Sequence, residues 1–139
     1  MDFMKKFKPT EFCLKEFNYW IVVLRQKQLT LGDAVILLKR EAQSIADVDE
    51  KEFAEFPMVV KWYEEKCKRL FTPDKFNYIA AMMKDNFVHF HAFPRYSTMR
   101  EFAGKKWVDE QWAKPIALLD CTVDENVLEV ILKQMKENK

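Results

Sequence analysis

The sequence predicts an α+β fold: an antiparallel sheet of about five strands with one long helix packed on it and a C-terminal helix. Three observations predict it. Short apolar runs separated by turn residues fill residues 10 to 40, a long stretch of helical spacing follows the acidic group Asp49-Glu50-Lys51-Glu52, and strand-like runs return after Thr72-Pro73-Asp74 before a last amphipathic segment. Runs of strand, helix, strand and helix in that order fit a sheet with its helices segregated, not alternating βαβ units.

The first three strands are expected at roughly Glu11 to Phe17, Tyr19 to Arg25 and Asp33 to Lys39, with Asn18 and Gln26 to Gly32 as turns. Trp20-Ile21-Val22-Val23-Leu24 and Ala34-Val35-Ile36-Leu37-Leu38 are continuously apolar, which predicts central strands covered on both faces. Asp49 reads as an N-cap with Glu52 at the third helical position, and Phe53, Phe56, Val59, Val60, Tyr63, Cys67 and Leu70 follow at helical spacing. Pro57 should bend that helix unless the helix begins there. Phe76 to Met83 reads as a strand joined by a short turn, Lys84-Asp85-Asn86, to Phe87-Val88-His89-Phe90-His91-Ala92-Phe93-Pro94-Arg95, forming an antiparallel hairpin. Tyr96 to Pro115 is irregular but holds the anchors Phe102, Gly104, Trp107 and Trp112. Thr122-Val123-Asp124-Glu125 reads as a capping box opening the last helix, with Val127, Leu128, Ile131, Leu132 and Met135 on one side.

A single domain over residues 1–139 is expected, with 116–139 as a C-terminal helical extension; 49% hydrophobic content, with twelve Phe and four Trp, suffices for a core. Basic residues number 23 and acidic residues 22, so the charge balance gives no support for a nucleic-acid or anionic-membrane surface. Three widely spaced cysteines without a C-x-x-C pair argue against a disulfide framework or zinc ribbon and fit the cytoplasm. No long apolar run follows the basic Met1 to Pro9, so neither a signal peptide nor a transmembrane helix is expected.

The two histidines of the chain, His89 and His91, are two residues apart on the expected strand, and strand side chains alternate, so both imidazoles project from one face. Imidazole is suited to nucleophilic and proton-transfer work near neutral pH. With these residues in view, Val88-His89-Phe90-His91-Ala92-Phe93-Pro94-Arg95 resembles the signature of the histidine-triad (HIT) family: His, apolar, His, apolar, His, two apolar residues, often then Pro-Arg. Thr30-Leu31-Gly32 before a strand ending in Lys39-Arg40 matches as well, and the likeness spans roughly residues 10 to 110.

The resemblance implies that His89 attacks the α-phosphate of a nucleotide to form a nucleotidyl-histidine, and that His91 contacts phosphate or assists the leaving group. Phe87 occupies the place of the first triad histidine. Some relatives bind zinc through that histidine, a second one where Glu41 stands, and two N-terminal cysteines; here only Cys13 is near the N-terminus, so no metal is expected, and no cofactor. Counting back from Gly32, Arg25 falls where relatives commonly carry an Asp or Asn for the ribose hydroxyls. A guanidinium cannot accept those hydrogen bonds, which turns expectation toward phosphate or an acidic partner. Lys84, Asp85 or Asn86 could replace the phosphate-side polar residue of longer-looped relatives.

Several residues keep two readings. His91 fits catalysis or a structural hydrogen bond. Arg95 anchors phosphate or completes a salt bridge. Lys39 and Arg40 form a solvated edge or contact phosphate. Trp20 and Phe17 stack on adenine or, more in keeping with their apolar runs, pack in the core, as the Met82-Met83 pair does. Asp33, Asp47 and Asp85 show no paired-carboxylate spacing. Trp107 and Trp112 stack on nucleic acid or cover a second protomer, and the near-neutral charge favours a homodimer, the arrangement the resemblance also implies.

The leading expectation is thus a nucleotide hydrolase or nucleotidyl transferase that cleaves a phosphoanhydride or phosphoramidate bond, with dinucleoside polyphosphates such as diadenosine tetraphosphate as substrates. The alternative is a non-catalytic nucleotide-binding or adaptor protein. Transfer to phosphate or a sugar phosphate ranks lower, because relatives doing that usually carry Gln where His91 stands.

Overall fold

A computed structural model describes residues 7–136, so most of the basic start of the chain and its last three residues lie outside the described part. A short helix α1 (Pro9–Phe12) leads into β1 (Cys13–Glu16), β2 (Trp20–Leu24) and β3 (Ala34–Leu38). After a 3-10 turn (Ile45–Asp47) come the long α2 (Glu50–Phe71), β4 (Lys75–Ile79), β5 (His89–Arg95), a small hairpin β6 (Arg100–Phe102) and β7 (Lys105–Trp107), and α3 (Glu125–Lys136). The main sheet is antiparallel in the order β1-β2-β3-β5-β4, so the predicted fold class holds.

Both central strands are buried at every residue, as their continuous apolar runs require. Alternation then sorts their side chains. Trp20, Val22, Leu24, Ala34, Ile36 and Leu38 meet Val59, Tyr63, Cys67 and Phe71 of α2 in the main core. Ile21, Val23, Val35 and Leu37 form a second cluster on the opposite face, with Phe7, Phe12 and Phe87 against it. The α2 ridge in the core is spaced four residues apart, and Phe53, expected on it, is 38% exposed.

α2 starts at Glu50, and the chain runs helically through Pro57. Its first turns are held independently of the missing donor at Pro57. Asp49 and Glu52 form a full capping box at 2.9 Å each way, Glu52 also accepts from Arg40 at 2.8 and 3.1 Å, and the Trp20 indole donates to the Glu52 carbonyl at 2.8 Å. One turn on, the Glu55 carboxylate accepts the main-chain N–H groups of Asn18 and Tyr19 and so fixes the β1–β2 turn to α2.

Four boundaries differ from expectation. Glu11 and Phe12 are helical, because Pro9 occupies a first helical position and the Phe12 N–H donates to the Lys8 carbonyl at 2.9 Å. The last helix is capped by Asp124 rather than Thr122: its carboxylate accepts from the Asn126 N–H at 2.8 Å and its carbonyl from Leu128 at 3.0 Å. Tyr96 to Pro115 contains a two-residue hairpin whose turn residues, Ala103 and Gly104, both have positive φ. β4 ends at Ile79, opposite His91, so residues 80–88 form a long connection in place of the predicted strand and short turn. Met83 is accordingly 82% exposed and does not pack in the core. Among the described residues, no helix is long and apolar enough to cross a membrane.

Candidate active site

His89, His91 and Phe93 share the sheet face opposite α2. The register places His89 beside Leu37, and His91 beside Val35 and, one strand on, Val23. Because β4 leaves the sheet after Ile79, the edge of β5 at His89 is lined by the 80–88 connection instead of another strand. Ala81, Met83, Lys84 and Asp85 from this connection, Arg25, Gln26 and Lys27 from the end of β2, and Leu118 from the C-terminal segment enclose a groove of about 530 Å³ onto which both histidines open.

The imidazoles are held in a fixed relation. Their ring centroids are 4.9 Å apart with planes at 85°, and the His91 ring stacks at 24° on Phe93, 6.3 Å away. His89 is 1% and His91 8% exposed, and the Phe7 ring lies 6.1 Å from that of His89. His89 Nδ1 is 2.7 Å from the Phe87 carbonyl oxygen. A carbonyl can only accept, so Nδ1 carries a proton and donates this bond. The Phe87 side chain meanwhile packs against Ile21, Val23, Val35 and Leu37. This residue serves the histidine through its main chain.

Of the other residues singled out from the sequence, Arg25 and Lys84 line the groove. Asn86 is exposed on the same connection but is not part of the lining. Lys39 pairs with Glu16 on the solvated edge, and Arg40 with Glu52. Arg95 lies outside the groove with its guanidinium occupied: Nε and Nη2 donate to the two oxygens of Asp109 at 2.7 and 3.1 Å, and Nη1 donates to Asn77 and to the Lys114 carbonyl. The salt-bridge reading of Arg95 is therefore the one its geometry fits. Trp20 is fully buried in the main core, and Trp107 is 6% exposed there, so neither offers a stacking face. Among the described residues, no three His, Cys, Asp or Glu side chains gather as a metal ion would require.

The turn between β2 and β3 was not legible as part of the site. Gln28 donates to the carbonyls of Arg25 and Asp33 and accepts from Gly32 at 2.8 Å. The buried Asp33 carboxyl accepts from the Leu29 and Thr30 N–H groups at 2.6 and 2.9 Å and from the Thr30 hydroxyl. The hydroxyls of Tyr63 and Tyr96 donate to the carbonyls of Gly32 and Leu31 at 2.7 and 2.6 Å. These bonds fix the segment that delivers Arg25 to the groove, and Thr30-x-x-Asp33 was its one local signal.

The arrangement of sheet, long helix and paired histidines can be compared with known proteins. No protein-family model and no curated protein matches the sequence. Solved structures do match over nearly the whole chain. A histidine-triad protein from Sinorhizobium meliloti superposes with a TM-score of 0.73 at 12% identity, covering 95% of this chain and 93% of its own. One from Marinobacter aquaeolei gives 0.72 at 16%, covering 93% and 90%. The fold is that of histidine-triad proteins. A hypothetical histidine triad nucleotide-binding protein from Sulfolobus tokodaii adds a TM-score of 0.68 at 15% identity, covering 94% of this chain and 89% of its own. The histidine-triad fold thus accounts for the sheet order and both long helices, while at these identities the chemistry has to be argued from the groove.

Proposed function

We propose that this chain is a histidine-triad nucleotide hydrolase or nucleotidyl transferase acting at the α-phosphate through His89, with dinucleoside polyphosphates such as diadenosine tetraphosphate as leading substrates. The observation that carries the reading is the His89 Nδ1–H bond to the Phe87 carbonyl, which fixes the ring by Nδ1 and assigns the nucleophilic role to Nε2, beside a groove large enough for a nucleotide. Nε2 bonds to the α-phosphorus, the bridging P–O bond breaks, and the leaving phosphate takes a proton from His91, whose ring is 4.9 Å away. Water then attacks phosphorus and gives its proton to His91, restoring it, while the P–N bond breaks, the electron pair returns to His89 Nε2, and the nucleoside monophosphate is released. Arg25 and Lys84 would meet the phosphate charge from the groove walls. In this reading Phe87 stands in the place of the first triad histidine.

The near-complete cover of His89, with Phe7 beside it, favours a second reading in which the groove binds nucleotide without turnover. Product analysis with diadenosine tetraphosphate separates the two. Wild-type chain releases a nucleoside monophosphate, and His89→Ala lowers the rate about a thousandfold or more while keeping its melting temperature. Calorimetric binding without product selects the second reading. We place the protein in the cytoplasm, in keeping with three unpaired cysteines, and propose a homodimer, since among the described residues β1 and β4 are the edge strands of the sheet. Sedimentation at twice the 16.7 kDa chain mass is expected, and the chain mass itself contradicts the dimer.

A further inference from the structure

The segment that follows Trp112 reaches the histidine groove. It is anchored by Gln111, whose side chain donates to the Ala117 carbonyl at 3.2 Å and accepts the Ala117 N–H at 2.7 Å, and it places Leu118 in the groove wall. Two residues on, the Asp120 carboxylate meets Lys27, itself a groove-lining residue, at 2.5 Å. The same Asp120 oxygen accepts the Cys121 N–H at 3.1 Å. Lys27 is tied to Arg25, whose Nη1 donates to the Lys27 carbonyl. Both cations act on Asp120: Lys27 first, and Arg25 more weakly, hold its carboxyl below the ordinary range. A carboxylate of the chain itself is thus seated on the basic wall of the groove.

A lysine ammonium is a point charge with three donors and no acceptor, and a phosphate oxygen suits it at least as well as a carboxylate does. We propose that Lys27 is a further phosphate-binding residue of the groove and that Asp120 competes for it, so that an incoming polyphosphate takes the ammonium from the carboxylate. The pair is built for exchange. Its side chains are 58% and 82% exposed, so it contributes little to the fold, and the carboxylate returns to water when the two part. A phosphate chain brings more negative charge than one carboxylate, and Arg25, bonded to the Lys27 carbonyl, draws it to the same wall. The inference rests on the nucleotide reading of the groove and deepens it by naming one residue that sets affinity for the phosphates and one that opposes it.

Calorimetric titration with α,β-methylene-ATP of wild-type chain, Asp120→Asn, Lys27→Gln and the double variant tests it. Both side chains are exposed, so the substitutions leave the fold intact. Asp120→Asn tightens binding about threefold and Lys27→Gln weakens it about threefold, each the size of one exposed charge pair. With Lys27 already replaced, Asp120→Asn moves Kd by less than about 1.5-fold, because the cycle isolates the coupling between the two residues. Affinity in Asp120→Asn equal to or weaker than wild type overturns the competition. So does an equal tightening with Lys27 present or replaced, which would make Asp120 a distant repulsive charge. Unchanged affinity in Lys27→Gln overturns the binding role of Lys27. In each of these cases wild-type chain still binds and the nucleotide reading stands, whereas failure of all four chains to bind overturns the groove reading together with the competition.

Discussion

Arg95, for which the sequence left a phosphate and a salt-bridge reading open, and Asp33, which showed no paired-carboxylate spacing, are both buried, and their surroundings give each a structural task. The Arg95–Asp109 pair is desolvated on both sides, with side chains 4% and 1% exposed, and Asp109 also accepts the Tyr96 and Gln111 N–H groups. Removing one partner leaves the other charged and buried, so Arg95→Met is expected to cost about 3–5 kcal/mol in urea unfolding. A loss below about 1 kcal/mol would contradict this account. Burial lifts the Asp33 carboxyl to about 7 despite the hydrogen bonds it accepts. The unfolded carboxyl titrates near ~4, so between about 4 and 7 the folded chain holds a proton that the unfolded chain has released, and stability falls as pH rises through that window. Urea melts at pH 5 and pH 8 should differ less in Asp33→Asn than in wild type; an equal difference in both assigns the pH dependence elsewhere. The sequence held a salt bridge as one of two readings of Arg95 but did not show its partner, and the task of Asp33 was not legible. Asp109 is fourteen residues from Arg95, and Asp33 acts on its own turn through main-chain groups that sequence spacing does not display.

At the scale of elements, what was legible depended on whether the cause was local. The central strands and the α2 cap are local: continuous apolar runs and an Asp-x-x-Glu pattern each admit one good solution. Asp49→Ala should therefore cost about 1 kcal/mol in thermal or urea unfolding, as loss of a cap does, and a neutral result would assign the start of α2 to the Glu52 contacts with Arg40 and Trp20 alone. The length of β4 is set non-locally. Phe76 to Met83 has strand composition throughout, but the ladder with β5 stops at Ile79, and the chain is diverted over His89. That early exit is what opens the groove. The same distinction applies to the hairpin at Ala103-Gly104: Gly104 signals the turn, while the short strands around it are set by Trp107 reaching the core.

On the scale of the molecule, one sheet separates two environments. The α2 side holds the main core, and the opposite side carries a small apolar cluster, the histidine row and the groove. The paired histidines were legible because strand alternation alone puts them on one face. The groove walls were not, since they come from the β2–β3 turn, the 80–88 connection and Leu118, which meet only after the sheet has formed. The division explains how a strand at the centre of the fold presents rigid side chains to a ligand: the helix side supplies the packing, and the histidine side inherits its fixed geometry. The central claim is that His89 bonds covalently to phosphorus. The most direct measurement is an acid-free quench of wild-type chain with diadenosine tetraphosphate, followed by peptide mass spectrometry. Nucleotide attached to His89, and none in His89→Ala, is the predicted result. Product released with no nucleotide on His89 at any quench time, and at an equal rate in His89→Ala, would contradict it.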